Sequence, residues 1–279
     1  MDSEYLKAAK REIEEWESQG PGFLAHLGDF VLLPAEKAAK ALVPAGLQDA
    51  VAGAIYKLLS GLSSATQLTS NEDKIYHRLE ATYRECGDEL KAADAVAKHY
   101  WNRNVVYAVG EGGSTGALGL AGLAADVPAL FAIALRLIRQ IGTCYGHDLT
   151  SDEEQEYVMH ILRTGSTPNL KAKMECLVAL KQIEQILLKV SWMKMSEALA
   201  TKEISRLSLL AAMRQFAQRL GVQLTKRKAL QLVPIIGALV GASFNALFVN
   251  DVGRAAYMAY RRRRIAELEG PTPAPLDLS

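Results

Sequence analysis

The sequence predicts an all-α fold, a single multi-helix domain built around two central glycine-rich apolar helices. Three observations predict it. Period-two alternation of β-branched and aromatic residues does not persist anywhere along the 279 residues, so strands lack their signature. Apolar residues recur instead at three- and four-residue spacing, the repeat that lays one stripe along a helix. Two stretches, GEGGSTGALGLAGLAADVPALF from Gly110 to Phe131 and ALQLVPIIGALVGASFNALFVN from Ala229 to Asn250, combine small residues with large aliphatic ones and almost no charge. Hydrophobic residues make up 49% and charged residues 23%, an ordinary globular balance in a chain long enough to bury a sizeable core.

The elements follow in order. Tyr5, Ala9, Ile13 and Trp16 share one face of a first helix whose other face is acidic, and the chain leaves it at SQGPG, Ser18 to Gly22. Short helical pieces between Phe23 and Leu62 are separated by Pro34 and by VPAG, Val43 to Gly46, because proline cannot continue a helix interior. After a loop at Leu62 to Asn71 come two charged helices, Glu72 to Cys86 and Asp88 to Val109, split at Gly87. Ser151, three residues before Glu154, is a capping-box start. Helical pattern from Leu170 to Leu220 divides near Ala200 to Glu203. Residues 1–269 are thus predicted to form the helical domain, and residues 270–279, GPTPAPLDLS, an extended proline-rich tail.

The Gly110 to Phe131 stretch invites three readings. Gly112 to Gly116 satisfies G-x-S-x-G around Ser114, but a nucleophile elbow needs a strand to deliver the serine onto a sharp turn, and a charged helix precedes it here. Phosphate loops need a lysine or a G-x-G-x-x-G spacing that the stretch lacks. The remaining reading is close helix packing. Gly113, Gly116, Gly119 and Gly122 recur every three residues, and Gly237 and Gly241 form G-x-x-x-G in the second stretch, which lets neighbouring backbones approach. Ala229 to Asn250 could reach about 30 Å as a helix, a bilayer core in length, but Gln231, Pro234, Ser243 and Asn245 argue for a buried central helix instead. Asp126 is read as the N-cap of a helix starting near Val127, with Pro128 in its first turn.

A family resemblance rests on these same residues. LAADVPALFAIALRLIRQIGTCYGHDL, Leu123 to Leu149, resembles the central motif of the EcsC family, in which a glycine-rich run, an Ala-Asp-(Ile/Val)-Pro step, an apolar helix with Arg and Gln, and Tyr-Gly-x-Asp follow in order. LVPIIGALVGASFNALFVNDVGRAAYMAYRRR, Leu232 to Arg263, resembles that family's C-terminal segment with its Pro-x-(Ile/Val)-Gly step, internal Asn and later Gly-Arg. The resemblance implies a mainly helical bacterial protein. The family takes its name from a gene linked to an ABC transporter, which implies action near a membrane with lipid or a membrane protein, such as a transporter, as partner. It brings no catalytic residues to transfer.

The residues themselves point to two places. On a helix starting near Asp126, the side chains of Asp126, Ala129, Ile133, Arg136 and Gln140 fall within a stripe of about 80°. With Asn245, buried among Val249, Val252 and Ala256, and Arg254 on the opposite side of its helix, they make a candidate ligand-binding set. A buried arginine or asparagine must find partners. These could be each other, in a plain interhelical pair; a lipid headgroup or other anion; or the substrate of an enzyme, hydrolytic or metal-assisted, aided by Glu111, Tyr145 or His147. The second place is basic: Lys226, Arg227 and Lys228, and the run Arg261, Arg262, Arg263 and Arg264, bracket the uncharged stretch and are candidate contacts for acidic lipids, the alternative for the run being a solvated helix end.

Several classes fit poorly. A net charge of +1 gives no bulk field for nucleic acid. The start lacks a secretory pattern, and Cys86, Cys144 and Cys176 are scattered and odd in number, so the expected place is the cytoplasm, at the inner face of the cell membrane. No cofactor motif occurs. Glu156 and His160 stand one helical turn apart but lack the further ligands of a metal site, so a surface pair is expected and no metal. The leading expectation is a helical protein that binds lipid or a membrane protein at the membrane face; an enzyme and a ligand-free scaffold are the alternatives.

Overall fold

A computed structural model describes residues 2–20, 45–60, 72–115, 119–147, 149–167, 169–196, 206–229 and 237–270. The expectations for Pro34, for Val43 and Pro44 of the VPAG break, the loop before Glu72, the division near Ala200 and residues 271–279 of the tail lie outside them. So do the side chains of Ser114, of Lys226, Arg227 and Lys228, and of the early residues of the two apolar helices.

Nine α-helices are present among the described residues, and no strand. They are α1 (Ser3–Ser18), α2 (Ala45–Ser60), α3 (Glu72–Cys86), α4 (Glu89–Thr115), α5 (Gly119–Cys144), α6 (Asp152–Gly165), α7 (Leu170–Ser196), α8 (Arg206–Ala229) and α9 (Gly237–Glu269). Local chemistry sets several boundaries. Asp2 caps α1, its carboxylate accepting from the amides of Glu4 and Tyr5. Ser151 caps α6 by accepting from the Glu154 amide at 3.2 Å, as its spacing predicts. Gly87, between α3 and α4, has φ +65°, a conformation that favours glycine. On α1 the predicted stripe is the buried one, with Ala9, Ile13 and Trp16 inside.

The two glycine-bearing helices α5 and α9 lie against each other in the core and run parallel. Asn245 meets Asp126 near their starts, and Tyr260 meets Gly142 near their ends. Between these points, a Cβ on Gly253 would stand 3.0 Å from Leu137 and 2.5 Å from the Trp101 ring, so the missing side chain is what lets α9 settle between α4 and α5. Helices α1, α4 and α6 run antiparallel to α9, as the contacts Glu12 to Arg261, Asp94 to Arg261 and Glu154 to Arg263 show. Helix α9 is therefore the hub, enclosed by α1, α4, α5, α6 and α7. Helices α2 and α8 pair with each other and pack against α5, with the Gly221 backbone close to Ala52.

One boundary departs from expectation. Helix α5 begins at Gly119, so Asp126 and Pro128 lie inside it rather than at its start. An N-cap preference is worth about 1 kcal/mol, less than the cost of a buried carboxylate without partners. The Asp126 side chain turns into the protein, 5% exposed, and accepts from the Asn245 amide at 3.4 Å. Pro128 costs α5 one internal hydrogen bond. Ala125 to Cys144 is long and apolar enough to cross a membrane, but 72% of that window is buried inside the protein, as befits a core helix.

Candidate functional site

The stripe on α5 resolves into separate contacts. Asp126 pairs with Asn245, the meeting that a buried asparagine on α9 required. About four turns beyond Asp126, Gln140 is 2% exposed and its Oε1 accepts from Asn104 Nδ2 at 2.7 Å; Asn104 also donates to the Tyr100 carbonyl at 2.8 Å. Arg136, half-buried, places its guanidinium 5.9 Å from the centre of the Tyr107 ring. Arg254 is on the far side of α9, donating to Gln19 Oε1 at the end of α1 (2.8 Å). A cavity between α6, α7 and α8 and another between α3, α4 and the end of α5 are lined by none of Asp126, Arg136, Gln140, Asn245 and Arg254.

The arginine run requires a correction. Successive helical residues turn by about 100°, so four in a row point around the whole circumference, and because α9 is central each meets another helix. Arg261 bonds Asp94 and Glu12, both at 2.6 Å. Arg262 bonds Glu184 at 2.6 Å and Glu17, while Arg263 bonds Glu154 at 2.7 Å. Arg264 reaches Glu89 and, at 3.3 Å, Glu267. The side chains of Arg261 and Arg263 are 3% and 5% exposed. These are internal ion pairs that staple α9 to its neighbours, not an outward basic patch and not a solvated helix end. Lysine is used the same way on α7: Lys173 donates to the carbonyls of Trp16 and Gln19, complementing the C-terminal dipole of α1, and burial, then Arg254, push its pKa down to about 8.

Asp94 is the densest acceptor in this network. Its carboxylate takes hydroxyl hydrogen bonds from Tyr5 and Tyr145, each at 2.6 Å, besides the Arg261 pair. Burial, then the Asp94 charge, raise the Tyr145 phenol well above its ordinary value, so it stays a donor. Neither Tyr5 nor Asp94 stands out in the sequence; the i,i+89 contact exists only in three dimensions.

His147 lies in the same charged end of the protein, stacked on Tyr260 at 5.3 Å and 7% exposed, with Nε2 free of hydrogen bonds. Burial, then Arg263 and Arg264, hold its pKa well below 6.5, outweighing Glu267 at 3.8 Å from Nδ1. The folded chain therefore binds fewer protons here than the unfolded chain, and this contribution to stability is complete above about pH 6.5 and declines as pH falls below it. In urea unfolding, the stability lost between pH 7 and pH 5.5 is expected to shrink in His147→Gln; an unchanged loss would show that other groups govern the acid response.

A different arrangement gathers at the opposite end. Because α5 and α9 run parallel and α4 antiparallel to both, the last turns of α4 and the first turns of α5 and α9 share one pole. Seven residues of α5 precede Asp126 and eight of α9 precede Asn245, about 10 Å of helix beyond that pair. From Asn104 to Ala125 the only charged residue is Glu111, and Ala229 to Asn250 has none. Helix α8, ending in Lys226, Arg227 and Lys228 just before Ala229, is seven residues along the chain from α9, a span of at most about 30 Å.

On the flank of this pole, α4 exposes Val106 at 69%, Val109 at 43% and Tyr107 at 43%. Arg103 donates to the Tyr107 hydroxyl at 2.8 and 3.0 Å, so Tyr107 sits between two guanidinium groups, Arg103 and Arg136. The sequence signal for this was available: Arg103 and Tyr107 stand at i,i+4 on a predicted helix. What the sequence lacked was Arg136 arriving from α5. Elsewhere Glu156 and His160 do meet at 3.7 Å, and among the described residues no three His, Cys, Asp or Glu side chains converge as metal ligands would.

Comparison with known proteins places these features in a family. The EcsC protein family model matches residues 7–265, which takes in α2 to α8 whole and most of α1 and α9, and the chain belongs to that family. It is 25% identical over 275 residues to the uncharacterized protein YdbA of Bacillus subtilis (strain 168), an alignment covering 95% of this chain and 94% of that protein. No solved structure matches.

Proposed function

We propose that this chain is a peripheral membrane protein that meets the cytoplasmic face of the bilayer through the apolar pole where α4 ends and α5 and α9 begin. The observation that supports it is the shared direction of these helices. It brings the first turns of α5 and α9 to one pole with the last turns of α4, beside exposed Val106 and Val109 and the cluster of Tyr107 with Arg103 and Arg136. The roughly 10 Å of helix that precedes the Asp126–Asn245 pair matches the depth to which amphipathic elements enter the headgroup and acyl boundary. Tyrosine and arginine are the side chains that favour that boundary. The basic end of α8 supplies attraction to anionic lipid, the role that the sequence reading shared with Arg261 to Arg264 and that those buried arginines do not fill.

Sedimentation with vesicles containing phosphatidylglycerol tests the reading. Binding is expected at low salt and weakens as salt rises. Each basic residue near the surface contributes about 1 kcal/mol, so replacing Lys226, Arg227 and Lys228 together by Ser should weaken binding about a hundredfold. Val106→Ser with Val109→Ser should weaken it further, at both low and high salt. No sedimentation at low salt, or a triple variant that binds as well as the parent, would remove the basis of the proposal.

A further inference from the structure

We propose that the cavity between α6, α7 and α8 binds an amphipathic oxyanion, a phosphate or carboxylate head on a short apolar body. The cavity is about 330 Å³ and its wall mixes apolar and charged groups. Met159, Ala172, Ala212 and Phe216 supply apolar surface, together with Cys176, whose thiol burial keeps protonated. Arg163, Arg219 and His160 line the same cavity.

What distinguishes these cations is how they are left. Every arginine of the Arg261 to Arg264 run has carboxylate partners, yet among the described residues neither Arg163 nor Arg219 has one within ion-pair distance. His160 turns Nε2 toward Glu156 at 3.7 Å and leaves Nδ1 buried with no hydrogen-bond partner. Ser166 and Thr167 also line the cavity, but their hydroxyls already donate, to the carbonyls of Leu162 and Thr164 at 2.8 and 3.0 Å. The cationic groups left for a ligand are therefore the two guanidinium groups, with the His160 imidazole and the Gln215 amide as further polar groups on the wall. Two planar forks suit the several lone pairs of an oxyanion. Glu156, 3.7 Å from His160 Nε2, offsets only part of the positive charge on the wall, and the alkyl and aromatic surface disfavours a fully hydrated ion.

This site is separate from the apolar pole, and a test in solution without vesicles separates the two. Isothermal titration of the full chain with octyl phosphate is expected to show one saturable site. Inorganic phosphate should bind at least about tenfold more weakly, because it leaves the apolar wall unfilled. Arg163→Gln and Arg219→Gln, both at exposed positions where folding should survive, should each weaken octyl phosphate about tenfold or more. Ala212→Phe, which adds bulk at the apolar surface, should weaken octyl phosphate while leaving inorganic phosphate unchanged. Equal binding of the two probes, or arginine variants that retain full affinity with unaltered circular dichroism, would overturn the proposal. Competition then identifies the source: displacement by soluble dihexanoyl phosphatidic acid marks a lipid headgroup, and failure to displace marks a free organic anion.

Discussion

Asp94→Ala is expected to destabilise the protein by about 3 to 5 kcal/mol, the range for leaving a buried charge without its partner. Asp94 is 2% exposed, and its carboxylate is the common acceptor for Arg261 on α9, Tyr5 on α1 and Tyr145 after α5. Its removal strands two phenol hydroxyls and leaves Arg261 with Glu12 alone, on the more exposed side of the network. Asp94→Asn keeps the size but removes the charge and one of the two acceptor oxygens, so it should lose less than Asp94→Ala, and its own loss relative to the parent reports the charge together with that acceptor. Urea unfolding of the three proteins at pH 7 provides the measurement. Loss of under about 1 kcal/mol in the alanine variant would show that this cluster behaves like an exposed ion pair.

Gly165→Ala should cost about 3 kcal/mol or more, beyond the usual range for a single added methyl because backbone, not side chain, stands in its way. A Cβ at Gly165 would lie 2.6 Å from the Val252 Cα and 3.0 Å from the Val252 nitrogen. Helix α6 would have to move off α9, straining the Glu154 to Arg263 pair on the same interface. Gly53 on α2 makes the contrast, since a Cβ there meets nothing within 4 Å. Gly53→Ala should stabilise by about 0.5 to 1 kcal/mol through helix propensity and reduced freedom of the unfolded chain. Opposite shifts in the urea midpoint of the two variants would confirm that close helix approach, and not glycine content as such, is what the hub requires. A tolerated Gly165→Ala would place α6 farther from α9 than it stands here.

Much of the fold was legible because helices announce themselves locally. The bounds of α3, the cap at Ser151 and the buried face of α1 each depend on residues within a few positions of one another. The meeting of Asp126 with Asn245 was also foreseeable, since a buried asparagine on one apolar helix must be satisfied by a neighbour. Reading Asp126 as an N-cap failed because Asp-x-Pro carries the same local signature whether the helix begins there or seven residues earlier. The candidate site was the less legible part. The pole depends on α5 and α9 being parallel, and the paired arginines depend on Glu12, Glu17, Asp94, Glu154 and Glu184, carried by four other helices.

By itself, then, the sequence determined that this protein is helical, which faces of its helices are apolar, and that it carries two glycine-bearing segments of very low charge, because periodicity and small-residue spacing are properties of a single helix. Only the tertiary structure decided what the charges do. A guanidinium at a helix end has the same sequence signature whether it meets water, a phosphate or a carboxylate, and the helices packed around it choose among them: Arg261 to Arg264 are enclosed and paired, while Arg163 and Arg219 are left facing a cavity.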